Sequence, residues 1–222
     1  SVDLDRGRNS PPPAGRHPPW ERGAGVAGTA APRLFEPYFS ERRAASNENI
    51  LTSTRATHFI TPKFPASRLF RDATLSLARD FPCARALINS GRLSVPATLH
   101  LSSLNTPDQD AFAGTQVPGA VLLDAPVNRA GTLSWLLREL GSDFTLLVFG
   151  TAPAWTAGLP NVQVLSIGED LTDAQGLATQ RLDAQPGTAY LIRPDQHVCA
   201  RWRAPTEAAV RAALATATAV PA

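Results

Sequence analysis

The chain has 222 residues, of which 43% are hydrophobic and 18% charged, with a formal net charge of +2. That length holds one large domain, or a compact domain with an extension, and can bury a sizeable core. The near balance of charge, with no basic run interleaved with aromatics, excludes a nucleic-acid surface. No apolar run approaches the ~18 residues needed to span a membrane.

Residues 1–32 are rich in Pro, Gly and Arg, with Pro11-Pro-Pro13 and Pro18-Pro19, and show no structural period; they read as a disordered tail. Order is expected from near Leu34. The spacing predicts a helix over Pro37–Thr57, with Tyr38, Ala45 and Ile50 inward and Glu41, Arg42 and Arg43 outward. A second helix fits Ser67–Arg79, with Leu69, Phe70, Ala73, Leu75 and Leu77 as its apolar face. A third fits Pro82–Ile88, stopped by Asn89-Ser-Gly91. Residues 92–119, with Pro96, Pro107 and Pro118, read as loop around short strands.

From there strands and helices alternate. Ala120–Leu123 reads as a short strand. Thr132–Leu140 reads as a helix closed by Gly141. Phe144–Phe149 is wholly apolar apart from Thr145, as expected of a strand covered on both faces. Val162–Ile167 reads as a second such strand and Asp173–Arg181 as a helix. Thr188–Arg193 and His197–Trp202 flank Pro194-Asp-Gln196 and predict an antiparallel hairpin. Thr206–Thr216 is a terminal helix starting at Pro205 or Thr206. The order β-α-β, a connection, then β-β-α resembles the thioredoxin fold. A thioredoxin would carry Cys-x-x-Cys just beyond Phe149. Here the chain runs Gly150-Thr-Ala-Pro-Ala-Trp-Thr-Ala-Gly158, with no thiol to act as nucleophile. The fold class expected is therefore α/β: a thioredoxin-like domain over 96–222, preceded by a helical segment over 33–95 and the tail over 1–32.

Candidate chemistry is sparse. Gly23-x-Gly25-x-x-Gly28 matches a dinucleotide fingerprint by letters, but no strand precedes it. His17, His58, His100 and His197 have no metal-ligand spacing and read as solvent-facing or hydrogen-bonding. Cys199 reads as a small core residue on a strand. Cys83 sits near a helix start, where a thiolate could be stabilised, although a structural role is the simpler reading. Asp108 and Asp110 share a Pro-flanked loop without an identifiable partner. Arg201 and Arg203 flank Trp202 on alternate sides and read as solvent-exposed. Two cysteines without a signal peptide point to a reducing cytoplasm. Arginine far outnumbers lysine, represented by Lys63 alone, which fits a GC-rich coding sequence. The lack of any Met implies a chain that is processed, trimmed or part of something longer.

Tyr38-x-x-Glu-Arg42, Glu41-Arg-Arg-Ala-Ala-Ser-Asn-Glu-Asn49 and Ser53-Thr-Arg-Ala-Thr-His-Phe-Ile-Thr-Pro-Lys63 form one block of a longer pattern. Phe70-Arg-Asp72, Ala78-Arg-Asp80, Ala84-Arg-Ala86 and Asn89-Ser-Gly-Arg-Leu-Ser94 continue it. So do Leu104-Asn-Thr-Pro-Asp108, Gly141-Ser-Asp-Phe-Thr-Leu-Leu-Val-Phe-Gly150, and Tyr190-Leu-Ile-Arg-Pro-Asp195 with Arg201-Trp202. Over residues 34–218, in order, the chain resembles the C-terminal region of class A FAD-dependent aromatic hydroxylases of the phenol-hydroxylase-like kind. The resemblance implies NAD(P)H-driven ring hydroxylation through a flavin hydroperoxide in the full-length family, and a terminal thioredoxin-like domain without redox cysteines. The family's N-terminal G-x-G-x-x-G domain and Gly-Asp motif have no counterpart in workable context. No catalytic, cofactor-binding or metal-binding residue is therefore carried over, and FAD and NAD(P)H are expected of the full-length family but not of this chain alone. As partners the resemblance implies a second copy in a homodimer, or the missing flavin domain, against which the helices of 34–90 would otherwise pack. One permissible back-translation of Pro18–Ala27, shifted in frame, gives an Ala-Leu-Val-Leu-Arg-Gly-like sequence, so residues 1–27 are expected to be frame-shifted from a longer hydroxylase gene.

Three functions compete. The first is an inactive-alone C-terminal portion of such a monooxygenase, with a structural or dimerisation role. The second is a stand-alone interaction module on a redox-dead thioredoxin-like fold. The third is a thiol enzyme using Cys83 or Cys199.

Overall fold

A computed structural model of the chain describes residues 35–88 and 96–219. The expected tail, the Gly23–Gly28 fingerprint, His17 and the Asn89-Ser-Gly91 stop lie outside the described residues.

The first part is helical. Helix α1 spans Phe35–Ile60, α2 Pro65–Leu77 and α3 Pro82–Ile88. Proline opens α2, where its missing N–H costs nothing. Along α1, Ser53 and Thr57 turn their hydroxyls back to the carbonyls of Ile50 and Ser53 (3.1 and 2.8 Å), so they satisfy themselves without a partner surface. The faces expected for α1 are corrected at Glu41 and Ile50, whereas Arg43 is exposed as expected. Glu41 is buried, whereas Ile50 and Leu51 are exposed; the side chain of Tyr38 lies outside the described set. The apolar face of α2 forms as expected, but Leu69 and Phe70 stand 74% and 60% exposed. Phe59 meets the Phe70 ring edge-on, with centroids 6.5 Å apart, which ties the end of α1 to α2.

The second part is built on one sheet. Strands β1 (Pro126–Arg129) and β2 (Thr132–Trp135) form a small hairpin, followed by the one-turn α4 (Leu136–Glu139). Strands β3 (Phe144–Phe149), β4 (Val162–Ile167), β5 (Ala189–Ile192) and β6 (Val198–Trp202) form the main sheet in the order β4-β3-β5-β6. β3 and β4 are parallel; β5 is antiparallel to both β3 and β6. A 3₁₀ turn (Ala154–Gly158) connects β3 to β4, and α5 (Leu177–Arg181) precedes β5. Helix α6 (Glu207–Ala217) closes the chain, with the Thr206 side chain accepting from the Ala209 N–H as the expected cap.

All six residues of β3 are buried. Leu147 and Phe149 enter one core, with Tyr190, Ile192 and Leu136; Phe144, Leu146 and Val148 enter the other, beneath Val210 and Ala213 of α6. The alternation follows from the strand's period of two. Three predicted elements are corrected. Ala120–Leu123 supplies only an isolated bridge, Val121 to His197. Thr132–Leu140 is half strand, because Ala130 and Gly131 (φ 49° and 82°) make a two-residue turn that folds β2 back on β1. Helix 173–181 shortens to α5, because Gly176 takes a left-handed φ of 67° immediately before it.

Candidate functional site

Two buried arginines organise the polar interior. Arg193 directly follows β5 and is itself buried, next to the fully buried Leu191 and Ile192. Its guanidinium is gripped from two sides. Nη1 and Nη2 donate to Glu41 Oε1 and Oε2 at 2.8 and 2.9 Å, a bidentate pair across 152 residues. Nε and Nη2 donate to Asp195 Oδ1 and Oδ2 at 3.1 and 2.5 Å. Ser102 Oγ donates to Glu41 Oε1 and accepts from the Leu104 N–H, joining the loop after the helical part to the same cluster. Burial alone would raise the Asp195 carboxyl, but Arg193 beside it, with His197, holds it well below the usual carboxylate range. His197 Nδ1 lies 3.3 Å from Asp195 Oδ1, without the alignment of a hydrogen bond.

The second arginine is Arg201 on β6. Nε and Nη2 donate to Asp108 Oδ1 and Oδ2 at 2.9 and 2.6 Å, and Nη1 to the Gln116 carbonyl at 2.9 Å. Arg203 follows on the same edge. Its side chain pairs with Asp183 and donates to the Ala111 carbonyl, and its N–H donates to Asp110 at 2.8 Å. Between the two, the Phe112 ring lies 4.3 and 3.9 Å from the guanidinium carbons and edge-on to Tyr190. The Ala113 N–H and Arg203 together hold the Asp183 carboxyl below its ordinary value. The strap 105–116 is thus fastened across the sheet edge by two guanidinium groups.

Several expectations are corrected by this geometry. Arg201 is 4% exposed instead of solvent-facing. Asp108 and Asp110 do have partners, in Arg201 and the Arg203 N–H. Glu41 faces inward. His58 and His100 are exposed and His197 is buried beside Asp195. Cys199 is buried, as read, and its thiol donates to the Leu191 carbonyl; Cys83 is exposed. Burial pushes the Cys199 thiol up to about 12. A thiol reagent at pH 8 is therefore expected to modify one cysteine in the native chain and the second only after denaturant is added. Two fast-reacting thiols in the native state would contradict the packing around Cys199.

The Glu41–Arg193 pair escaped the sequence reading. One signal was available: an arginine abutting Ala-Tyr-Leu-Ile, in a strand expected to be buried, needs a carboxylate. Nothing local says which carboxylate.

Chemically, these clusters are clamps. Each guanidinium has its donors spent on carboxylates and carbonyls, and the hydroxyl that meets a carboxylate in these clusters, Ser102 on Glu41, meets one already neutralised by Arg193. Among the described residues, no group of three or more His, Cys, Asp or Glu is arranged to hold a metal ion. Nor is any described helix long and apolar enough to cross a membrane. A dinucleotide cofactor needs a strand leading through a glycine turn into a helix N-terminus, whose N–H groups meet the pyrophosphate. After β3 the described chain offers Gly150-Thr-Ala-Pro153, where proline lacks an N–H, and then a 3₁₀ turn. This junction does not fit FAD.

Fold and clamps together define a mixed α/β scaffold. No family model matches the chain. A curated 12-dehydrotetracycline 5-monooxygenase/anhydrotetracycline 6-monooxygenase of Streptomyces rimosus is 28% identical over 193 residues, covering 85% of this chain and 34% of that protein. The solved structure of the flavin-dependent monooxygenase PieE, in complex with FAD and substrate, is 20% identical with a TM-score of 0.68, covering 91% of this chain and 42% of that one. OxyS anhydrotetracycline hydroxylase from Streptomyces rimosus is 25% identical with a TM-score of 0.59, covering 91% of this chain and 39% of that one. Its neighbours are thus FAD-dependent aromatic hydroxylases, and the chain resembles a C-terminal region of that family. It spans well under half the length of these relatives.

Proposed function

We propose that this chain is the C-terminal portion of an FAD-dependent aromatic-ring monooxygenase, serving as structural scaffold and contact surface for an enzyme whose chemistry resides elsewhere. The observation that carries the reading is the asymmetry of the match: 85% of this chain aligns with 34% of a curated monooxygenase. In the whole enzyme the reaction is NAD(P)H-driven hydroxylation of an aromatic ring, and FAD supplies the oxygen-activating chemistry when bound. What the present residues supply is rigidity, through the two arginine clamps, and surface, through α1 and α2.

The domain division follows the same reading: a tail over 1–32, the end of a flavoprotein domain over 33–95, and a thioredoxin-like domain over 96–222. Parallel β3 and β4, antiparallel β5 and β6, and the closing α6 support the thioredoxin-like assignment, with Gly150–Gly158 standing where redox cysteines would be. The exposed Leu69, Phe70, Leu75 and Leu77 of α2 support a packing partner, either the flavin-bearing domain or a second copy. The cytoplasm is the proposed location.

The test is to purify the chain and record its visible spectrum and its mass in solution. The reading predicts no flavin absorbance and a dimer or larger species that shifts toward monomer in Phe70→Glu. Stoichiometric FAD in the isolated chain would sink the structural role. A stable monomer that instead captures one heterologous protein would favour the stand-alone interaction module.

A further inference from the structure

We propose that the Glu41–Arg193 pair is a conformational clasp, fixing the angle at which the helical part, 35–88, leaves the sheet part, 96–219. Among the described residues, neither hydrophobic core cluster contains one from the helical part, 35–88. Its buried crossing runs through Glu41, near the start of α1, while Ile50, Leu51 and Ile60 farther along the helix are exposed.

The receiving half of the clasp is built before Glu41 enters it. The Arg193 N–H donates to the His197 carbonyl at 2.8 Å, and Asp195 holds Nε and Nη2 from within the same turn. The guanidinium plane is thus set by the sheet part alone. A planar fork met by both oxygens of one carboxylate fixes direction as well as distance, which a lysine would not do. Ser102 then pins the same carboxylate from the loop entering the sheet part, and the Ser102 N–H donates to the Leu99 carbonyl at 3.1 Å. Phe59 against Phe70 carries the angle from α1 into α2. Buried ion pairs are weak devices for stability, and in some proteins they select one geometry instead.

The experiment uses the full chain and needs no flavin, so its failure is distinguishable from failure of the proposed function. A spin label on the exposed Cys83 of α3 and a second on Glu169→Cys, in the exposed turn after β4, report the distance between the two parts. Cys199 is buried and stays unlabelled. The clasp predicts one narrow distance maximum with Glu41 present, and loss of that single maximum in Glu41→Leu, with near-ultraviolet dichroism from the sheet part unchanged. Glu41→Gln, which keeps the shape and removes the charge, is expected to broaden the distribution in the same direction and decides the matter if the leucine variant does not fold. An unchanged distribution in Glu41→Gln, or its global unfolding, overturns the clasp.

Discussion

Replacing Arg193 with methionine is expected to lower unfolding stability by about 3–5 kcal/mol, read as a shift of the urea midpoint. The side chain is 0% exposed, so no water can replace it. Methionine fills a similar length, which separates the charge effect from a cavity effect. What remains is Glu41, 7% exposed, facing Asp195, 21% exposed, with no cation between them. Arg193, the larger of the two influences that hold Asp195 well below the ordinary carboxylate range, is then gone, and Glu41 and Asp195 are left to repel each other. Glu41→Leu should cost less, because Arg193 keeps Asp195. If Glu41→Leu proves the more damaging of the two, Arg193 is not the centre of the cluster. Removing all three charges in Glu41→Leu/Arg193→Met/Asp195→Asn should recover part of the loss, as expected when burial of the ions is itself costly.

The parts of this molecule that were legible in sequence are those whose cause is local. Phe144–Phe149 announces a doubly covered strand by its own residues, and the Pro194-Asp-Gln196 turn marks the β5–β6 hairpin. Thr206 caps α6 by accepting from the Ala209 N–H three residues on. Thr132–Leu140 misled because Leu133, Leu136, Leu137 and Leu140 carry a helical period, while two turn residues before them impose a hairpin. The clamps were hidden for a different reason. Arg201 and Arg203 alternate about Trp202 as surface arginines would, and the burial of the first and partial burial of the second depend on carboxylates 93 and 20 residues away. Glu41 sits in a run of charged residues on a helix that is otherwise mostly exposed. Only the return of the chain past Ser102 and Arg193 makes its position interior. Periodicity reports which face is apolar; it does not report which buried charge will find a partner.

Arg201→Ala is expected to release the strap 105–116 while leaving the sheet standing. The loss should be about 2–3 kcal/mol, since charged hydrogen bonds to one carboxylate and one carbonyl are removed. It should fall short of Arg193→Met because the Asp108 side chain is 27% exposed and can turn to water, whereas Glu41 cannot. The more telling readout is limited proteolysis. In the parent chain Asp108, Asp110 and the Ala111 carbonyl are all engaged by Arg201 and Arg203, and Phe112 lies between the two guanidinium groups. Without Arg201, Phe112 loses one of its two guanidinium contacts while keeping Arg203, Tyr190 and its packing on the core, and cleavage within 105–116 should accelerate before any cleavage in β3 or β5. Arg201→Lys should not restore protection, because a single ammonium cannot serve Asp108 on one side and the Gln116 carbonyl on the other with the same geometry. Phe112→Ala separates the two contributions. It keeps the ion pair and removes the ring, so a strap held mainly by charge stays protected in Phe112→Ala and opens in Arg201→Ala. Equal cleavage in both variants would mean that the ring, and not the arginine, fastens the strap.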